Sequence, residues 1–305
     1  MNQMIMILGV TASGKSTLAF DLAKNIDAEI ISIDSMKVYR RMDIGTAKPS
    51  LERRKTVKHH LIDIFEPSES CTAGKFLGLT HQAMDNVKAA NKPMIAAGGT
   101  ALYTKTLLYG MFDGPPANEE IRNALKDRIN TEGTARLHRE LTEVDPQAAE
   151  RIHPNDARRI IRAMEVYKLT GKPISSFQRQ FSAEKPLDDW KIIGLRRPKD
   201  QASHRINMRV KKMAEMGFLE EVKNLLAEDA PLSKQAAAAI GYVEIIDHLN
   251  GESSLDEAIE RIKVNTRKFA KAQRTWFKKF KNVTWLDIEE QETPQEILKK
   301  TLALL

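Results

Sequence analysis

The stretch GVTASGKST, Gly9 to Thr17, fits the pattern G-x-x-x-x-G-K-[ST], and its spacing has a physical cause. Gly9 and Gly14 let the backbone fold closely round an anion, so that the N–H groups of the intervening Val10, Thr11, Ala12 and Ser13 point at its oxygens. Lys15 adds a point charge, Ser16 can reach a Mg²⁺ ion, and the following helix presents its positive end. The loop specifies a di- or triphosphate without saying whose. Two further residues follow apolar runs of strand character. Asp34 comes after IISI, where it could cap a helix, hold Mg²⁺ or act as a general base. Thr100, in Gly98-Gly99-Thr100 after PMIAA, reads first as a helix N-cap and second as a ligand of phosphate oxygen.

These residues need a scaffold that points strand ends at one place. MIMILG, EIISID and PMIAAGG each lead toward helical segments such as AGKFLGLTHQAMDNVKAA. The alternation predicts an α/β fold, a parallel P-loop sheet with its ligands at the carboxyl ends of the strands. GPPANEE, Gly114 to Glu120, breaks the pattern, and helix then follows helix to about Asp189. WKIIGLRRP reads as a strand returning to the sheet, and VTWLDI as a late strand in an otherwise helical C-terminal third. The expected organisation is a core in two parts, residues 1–113 and 190–305, carrying a helical insertion domain at 114–189.

Bulk properties narrow the class. With 305 residues, 42% hydrophobic and 29% charged, the chain can bury a real core and has an ordinary soluble composition. One cysteine, Cys71, rules out a disulfide framework. The histidines share no metal-ligand spacing with it, so no zinc site is expected. The absence of a signal-like N-terminus and of any long apolar stretch leads us to expect a cytoplasmic protein. Net charge is +7, and Arg261 to Lys281 holds nine Lys/Arg with no Asp or Glu. Ile262, Phe269, Trp276 and Phe280 fall at helical spacing in that segment, which predicts a helix docked by an apolar stripe with a purely basic outer face, a surface for nucleic acid or phosphate.

DSMKVYRRMDIGTAKP (Asp34 to Pro49), HHLIDI (His59 to Ile64), GGTALY (Gly98 to Tyr103), RIHPNDARRIIRAMEV (Arg151 to Val166), AIGY (Ala239 to Tyr242) and the RKFAK-Q-TWF pattern over Arg267 to Phe277 together resemble the bacterial tRNA dimethylallyltransferases, also called tRNA isopentenyltransferases. The resemblance runs from Gly9 to about Trp285 with the motifs in order. It implies transfer of a dimethylallyl group from dimethylallyl diphosphate to N6 of the adenosine immediately 3′ of a tRNA anticodon, releasing diphosphate. The loop, Gly9 to Ser16, would then hold an isoprenoid diphosphate with Mg²⁺ on Ser16, and no nucleotide would be split. Charge builds on the departing diphosphate, where fixed N–H groups and Lys15 would stabilise it. By the same resemblance Asp34 is the base that takes the adenine proton, while Thr100 and Arg122 act on the diphosphate. Contacts to the extruded adenine and its surroundings would fall on Asp34, Ser35, Met36 and Lys37, on Thr100 and Arg122, and on Arg158, Arg159, Ile160, Ile161 and Arg162. The partner implied is the tRNA anticodon stem-loop, with no membrane and no obligate protein partner.

The chain departs from the family's usual residues at Val10 (Pro), Lys37 (Gln), Arg41 (Gly), Ala238 (Gln), Val243 (Lys) and Ala272 (Arg). The diphosphate machinery is intact, and the changes concentrate on the side expected to meet RNA. Two rival readings are a small-molecule or nucleotide kinase, which would need a nucleoside triphosphate, and a non-catalytic RNA-binding protein that has kept the fold. The complete set Lys15, Ser16, Asp34 and Thr100 argues against the second.

Overall fold

The computed structural model describes residues 3–111, 114–177 and 186–305. Six parallel strands form one sheet in the order β3-β2-β4-β1-β5-β6, with β1 at Met4–Gly9, β2 at Glu29–Ile33, β3 at His59–His60, β4 at Met94–Gly98, β5 at Trp190–Arg196 and β6 at Val283–Asp287. β1, β2 and β4 are buried almost throughout, which is why they read as continuous apolar runs. The helix Lys15–Ile26 lays Leu18, Ala19, Leu22 and Ala23 on the sheet. β5 and β6 occupy the segments expected from WKIIGLRRP and VTWLDI. The sequence pattern does not mark β3 as a strand, because two histidines carry neither the alternation nor the branched side chains that identify one.

The order β2-β4-β1 matters for function. It sets the ends of these three strands side by side, so the segments beginning at Asp34, Gly99 and Val10 emerge as neighbours. Packing at this edge is close enough to dictate glycine. A Cβ on Gly98 would overlap the carbonyl oxygen of Ile33.

The chain forms two compact units, one of Met1–Leu108 with Lys185–Leu305 and one of Tyr109–Glu184. The boundaries read from sequence stood at 113 and 189, and residue 113 lies outside the described residues. The first unit begins its return earlier than expected because Leu187 N–H donates to the Leu108 carbonyl (2.8 Å), well before β5 starts. The second unit is helical, built from Glu119–Glu132, Thr134–Val144, Pro146–Arg151, Ala157–Thr170 and Ile174–Phe177 round a core that includes Leu125, Leu137, Leu141, Ile160 and Met164.

The basic helix needs two corrections. It spans Leu255–Phe277 and buries Ala258, Ile262, Ala270, Gln273 and Phe277, whereas Phe269 is 41% exposed and Trp276 only half-buried. Its outer face is not purely basic either. Arg261 pairs with Asp247 (2.6 Å) on the preceding helix, Tyr242–Leu249, and Lys263 with Glu260 (2.6 Å), one residue before Arg261. From Lys268 onward the charge is unopposed at Lys268, Lys271 and Lys278, which are exposed and have no acidic partner among the described residues.

Candidate active site

Within the sheet-bearing unit a pocket of about 830 Å³ opens over the carboxyl ends of β1, β2 and β4. Its floor is formed by Thr11, Ala12, Gly14, Lys15 and Ser16 of the Gly9–Ser16 loop, with Gly9, Val10 and Ser13 not among the lining residues. Gly14 takes the left-handed conformation (φ 102°) and Ala12 does likewise at φ 62°. A Cβ on Gly9 would press on the Ser13 side chain, so any larger residue at the first turn would have to displace the Ser13 hydroxyl. That hydroxyl is itself buried with no hydrogen-bond partner among the described residues. The Val10 side chain is buried away from the pocket, so Val in place of Pro leaves the cradle unchanged.

The loop is braced by residues that sequence reading missed. Arg197 Nε donates to the Ser13 carbonyl (3.1 Å), Arg205 Nε to the Ala12 carbonyl (2.9 Å) and Arg209 Nη1 to Thr11 Oγ1 (3.3 Å). Arg205 and Arg209 are one turn apart on the helix Lys199–Glu215, a spacing visible in the sequence but uninformative without the loop they face. Buried Gln273 accepts from Thr11 N–H (2.8 Å) and donates to the Gly99 carbonyl (2.7 Å), tying the loop to the segment after β4.

Asp34 and Thr100 both line this pocket. One oxygen of Asp34, Oδ1, accepts from the backbone N–H groups of Met36 (2.9 Å) and Lys37 (3.3 Å), so the carboxylate is held in place through one oxygen while the other is left for chemistry. Thr100 Oγ1 accepts from Ser35 N–H (3.0 Å) and donates to Ser35 Oγ (3.3 Å). Its hydroxyl therefore fixes the Asp34–Ser35 turn as well as facing the pocket. Ser16 and Met36 also line the pocket.

Charge in the pocket is out of balance. Lys15, Lys37, Lys48, Arg54, Arg205, Arg209 and Lys212 line it against the carboxylates of Asp34 and Asp43. Lys48 is satisfied by Asp43, Asp63 and the Tyr39 carbonyl. Lys15 is not: its Nζ donates to the Val10 carbonyl (3.2 Å), and burial beside Lys37 and Arg209 pulls its pKa down to about 7. Burial likewise pushes Lys37 and Arg209 toward the neutral form, with Asp34 opposing the shift in each. The remaining wall is apolar, with Val210, Met213, Phe218, Ile245 and Ile262 contributing. Such a pocket suits a ligand that is strongly anionic at one end and hydrocarbon at the other.

The DIGTAKP segment is positioned from beneath. Glu221 accepts from the N–H groups of Asp43, Ile44 and Gly45 (3.0, 2.6 and 3.2 Å) and from the Tyr242 hydroxyl (2.6 Å). Gly45 lies against the edge-to-face pair Phe218–Tyr242, where any Cβ would run into both rings. Arg41, where the resemblance leads one to expect Gly, keeps a left-handed backbone (φ 61°) and forms ion pairs with Glu66 and Glu228 (2.6 Å each). The substitution is absorbed by local carboxylates and presents no free charge.

In the helical unit, Arg122 and Arg162 come together on Glu165, whose side chain is fully buried. Glu165 accepts from Arg122 Nε (2.9 Å) and Nη2 (3.1 Å), Arg162 Nη1 (2.7 Å) and Asn118 N–H (2.7 Å). These donors hold its carboxyl below the usual carboxylate range despite burial. Asp156 caps the helix that carries Arg158 to Arg162, accepting from Arg159 N–H (3.1 Å). Arg158 and Arg159 are exposed, and Arg159 pairs with Asp156 (3.2 Å). Ile160 is completely buried in the unit's core and Ile161 is partly buried against it, so the Ile160 side chain has no surface to offer RNA. Its neighbours in the sequence reach the surface because they lie on another side of the helix.

A sequence model of the IPP transferase family matches residues 37–280. A protein of Acetivibrio thermocellus named tRNA dimethylallyltransferase is 41% identical over 300 residues, covering 98% of this chain and 96% of the relative. The structure of the full-length tRNA isopentenylpyrophosphate transferase of Bacillus halodurans superposes with a TM-score of 0.71 at 38% identity, over 100% of this chain and 97% of that one. A eukaryotic dimethylallyltransferase described as acting on tRNA gives a TM-score of 0.85 at 28% identity, over 99% of this chain and 78% of that one.

Proposed function

The chain belongs to the IPP transferase family, and on that premise we propose that it transfers a dimethylallyl group from its diphosphate to N6 of the adenosine just 3′ of a tRNA anticodon. The observation that carries this reading is the pocket's composition: a phosphate loop with excess buried cations at one end and an apolar wall beyond. The diphosphate lies on the loop, and the five-carbon group rests against Val210, Met213 and Ile262. The allylic C–O bond breaks, its electron pair leaves on the diphosphate, and a C–N bond forms to the adenine amine. Loop N–H groups and Lys15 meet the charge as it develops. The amine's lone pair is delocalised into the ring, so Asp34 orients the amine and takes its proton through the oxygen that holds no backbone N–H. Thr100 keeps the Asp34 turn in place by accepting from Ser35 N–H, and turns its hydroxyl hydrogen from Ser35 Oγ to the leaving group.

The donors present fit a hard divalent cation. The Ser16 hydroxyl lines the pocket, and no group of three or more His, Cys, Asp or Glu side chains is assembled for a metal among the described residues. Mg²⁺, when bound, would be held by Ser16 and would neutralise leaving-group charge.

Exposed Lys268, Lys271 and Lys278, with Arg158 and Arg159, are the positions proposed to meet tRNA phosphates. The family premise and the hydrocarbon-lined pocket favour this reading over a kinase. No helix among the described residues is long and apolar enough to cross a membrane. Incubation with labelled dimethylallyl diphosphate and unmodified tRNA, followed by nucleoside analysis, is expected to show label on one adenosine next to the anticodon. Label in no nucleoside, or ATP competing for the pocket with higher affinity than the isoprenoid, would overturn the proposal.

A further inference from the structure

On the diphosphate reading above, the ammonium of Lys37 lines the same pocket as the phosphate loop and has no ion pair of its own. Its backbone is pinned on both sides, with N–H donating to Asp34 Oδ1 (3.3 Å) and carbonyl accepting from Asp63 N–H (3.2 Å). The side chain is thereby directed into the main pocket, at the point where a smaller cavity of about 240 Å³ shares Ser16, Ala47, Lys48 and Pro49 with it. The charges that act on it there are Asp34, Arg209 and Lys48, and it acts in turn on Lys15. Lys48 and Arg209 have partners of their own, in Asp43 and Asp63 and in Thr11. Lys37 has none: among the described residues no carboxylate lies within ion-pair distance of its ammonium. An ammonium that faces Arg209 and Lys48 with only Asp34 to offset them, and with no ion pair of its own, is stabilised when an anion arrives to share it.

We propose that Lys37 binds the diphosphate directly, and that it supplies in this chain part of the positive charge that a divalent ion would otherwise bring. A glutamine at the same position could donate a hydrogen bond but would add no charge. The lysine shifts the balance toward binding that survives without metal.

The test is equilibrium binding of inorganic diphosphate by calorimetry, in EDTA and in Mg²⁺, to the wild-type chain, Lys37→Gln and Lys37→Arg. In EDTA, Lys37→Gln is expected to bind about ten- to a hundredfold more weakly, the range for a charge-assisted hydrogen bond. Lys37→Arg should stay within a few-fold of wild type, and Mg²⁺ should close most of the Lys37→Gln gap. Equal affinities of wild type and Lys37→Gln in EDTA would overturn the inference while leaving the diphosphate site intact. A gap that Mg²⁺ does not narrow would overturn the substitution of lysine for metal charge. Failure of the wild-type chain to bind diphosphate in either buffer would remove the underlying functional reading as well. Lys37→Met provides the same comparison if a thermal melt shows the Gln variant unfolded.

Discussion

Lys15 and Lys37 in the sheet-bearing unit, and Arg122 and Arg162 in the helical unit, are all partly buried cations, but their surroundings treat them in opposite ways. Glu165 collects Arg122, Arg162 and a backbone N–H on a carboxylate with no exposure, so the cluster is complete within the protein. The pocket leaves Lys15 with a carbonyl and Lys37 with no ionic partner, so its charge is complete only when an anion is bound. A satisfied buried ion cluster is characteristic of structure and an unsatisfied one of a ligand site. By that criterion Arg122, which the family resemblance assigns to the diphosphate, already spends three of its donors on Glu165 and Glu119.

The contrast can be broken most decisively at the two carboxylates. Asp34→Asn is expected to lower turnover by about 10²–10⁴ through loss of a general base, with diphosphate and tRNA binding retained. Single-turnover kinetics beside binding isotherms on one preparation check this, and near-normal turnover would reduce Asp34 to holding its turn. Glu165→Ala should act on stability first. We expect a loss of about 2–3 kcal/mol, below the range of about 3–5 for a fully buried pair because both arginines retain contact with water. Urea denaturation measures it, and an unchanged midpoint would show that the cluster does not hold the helical unit together.

The third test uses the pKa of Lys15, near 7 in the free chain. A bound diphosphate favours the charged ammonium and raises that value. Below pH 7 the lysine is already protonated, so its state costs binding nothing. Above pH 7 binding must take up a proton, and affinity should fall by up to about tenfold per pH unit until the pKa of the complex is reached. Calorimetry at pH 8 in two buffers of different ionisation enthalpy should show the uptake, which Lys15→Arg should abolish. Proton release, or none, would place the charge imbalance elsewhere.

The smallest effect is expected at Arg41. Arg41→Gly relieves a left-handed backbone and removes ion pairs that are largely exposed, two changes of opposite sign. The melting temperature should move by no more than about 2 °C. A larger fall would mean that the Glu66 and Glu228 contacts hold the DIGTAKP segment in place.

Most of the candidate site was legible because its parts are local. A strand running into a glycine-spaced loop and a helix needs only consecutive residues, and Asp34 and Thr100 could be found by their position after apolar runs. Where local pattern was stretched too far it failed. Ile262, Phe269 and Trp276 recur every seven residues on one stripe, but along the later half of the helix the neighbouring elements cover the adjacent stripe instead, so Phe269 and Trp276 are left in part exposed. Ala258 and Ile262 early in the helix, and Ala270, Gln273 and Phe277 later, are the residues actually buried, a choice set by the packing partners and not by the period alone. Ile160 failed for a related reason, since neighbours within RRIIR point to different sides of one helix.

What no local pattern carries is the meeting of distant residues. Gln273 reaches Thr11 across 262 positions and Arg205 reaches Ala12 across 193, and nothing in either short stretch names its partner. The placing of β4 between β1 and β2 brings Thr100 to Ser35, and the packing of two helices brings Arg122 to Glu165, which Arg162 already meets one turn away on its own helix. Backbone geometry and residue type wrote the phosphate loop into nine consecutive letters. Long-range packing decided which cations in the chain were neutralised and which were left for a ligand, because only packing sets the distance between a charge and its nearest opposite.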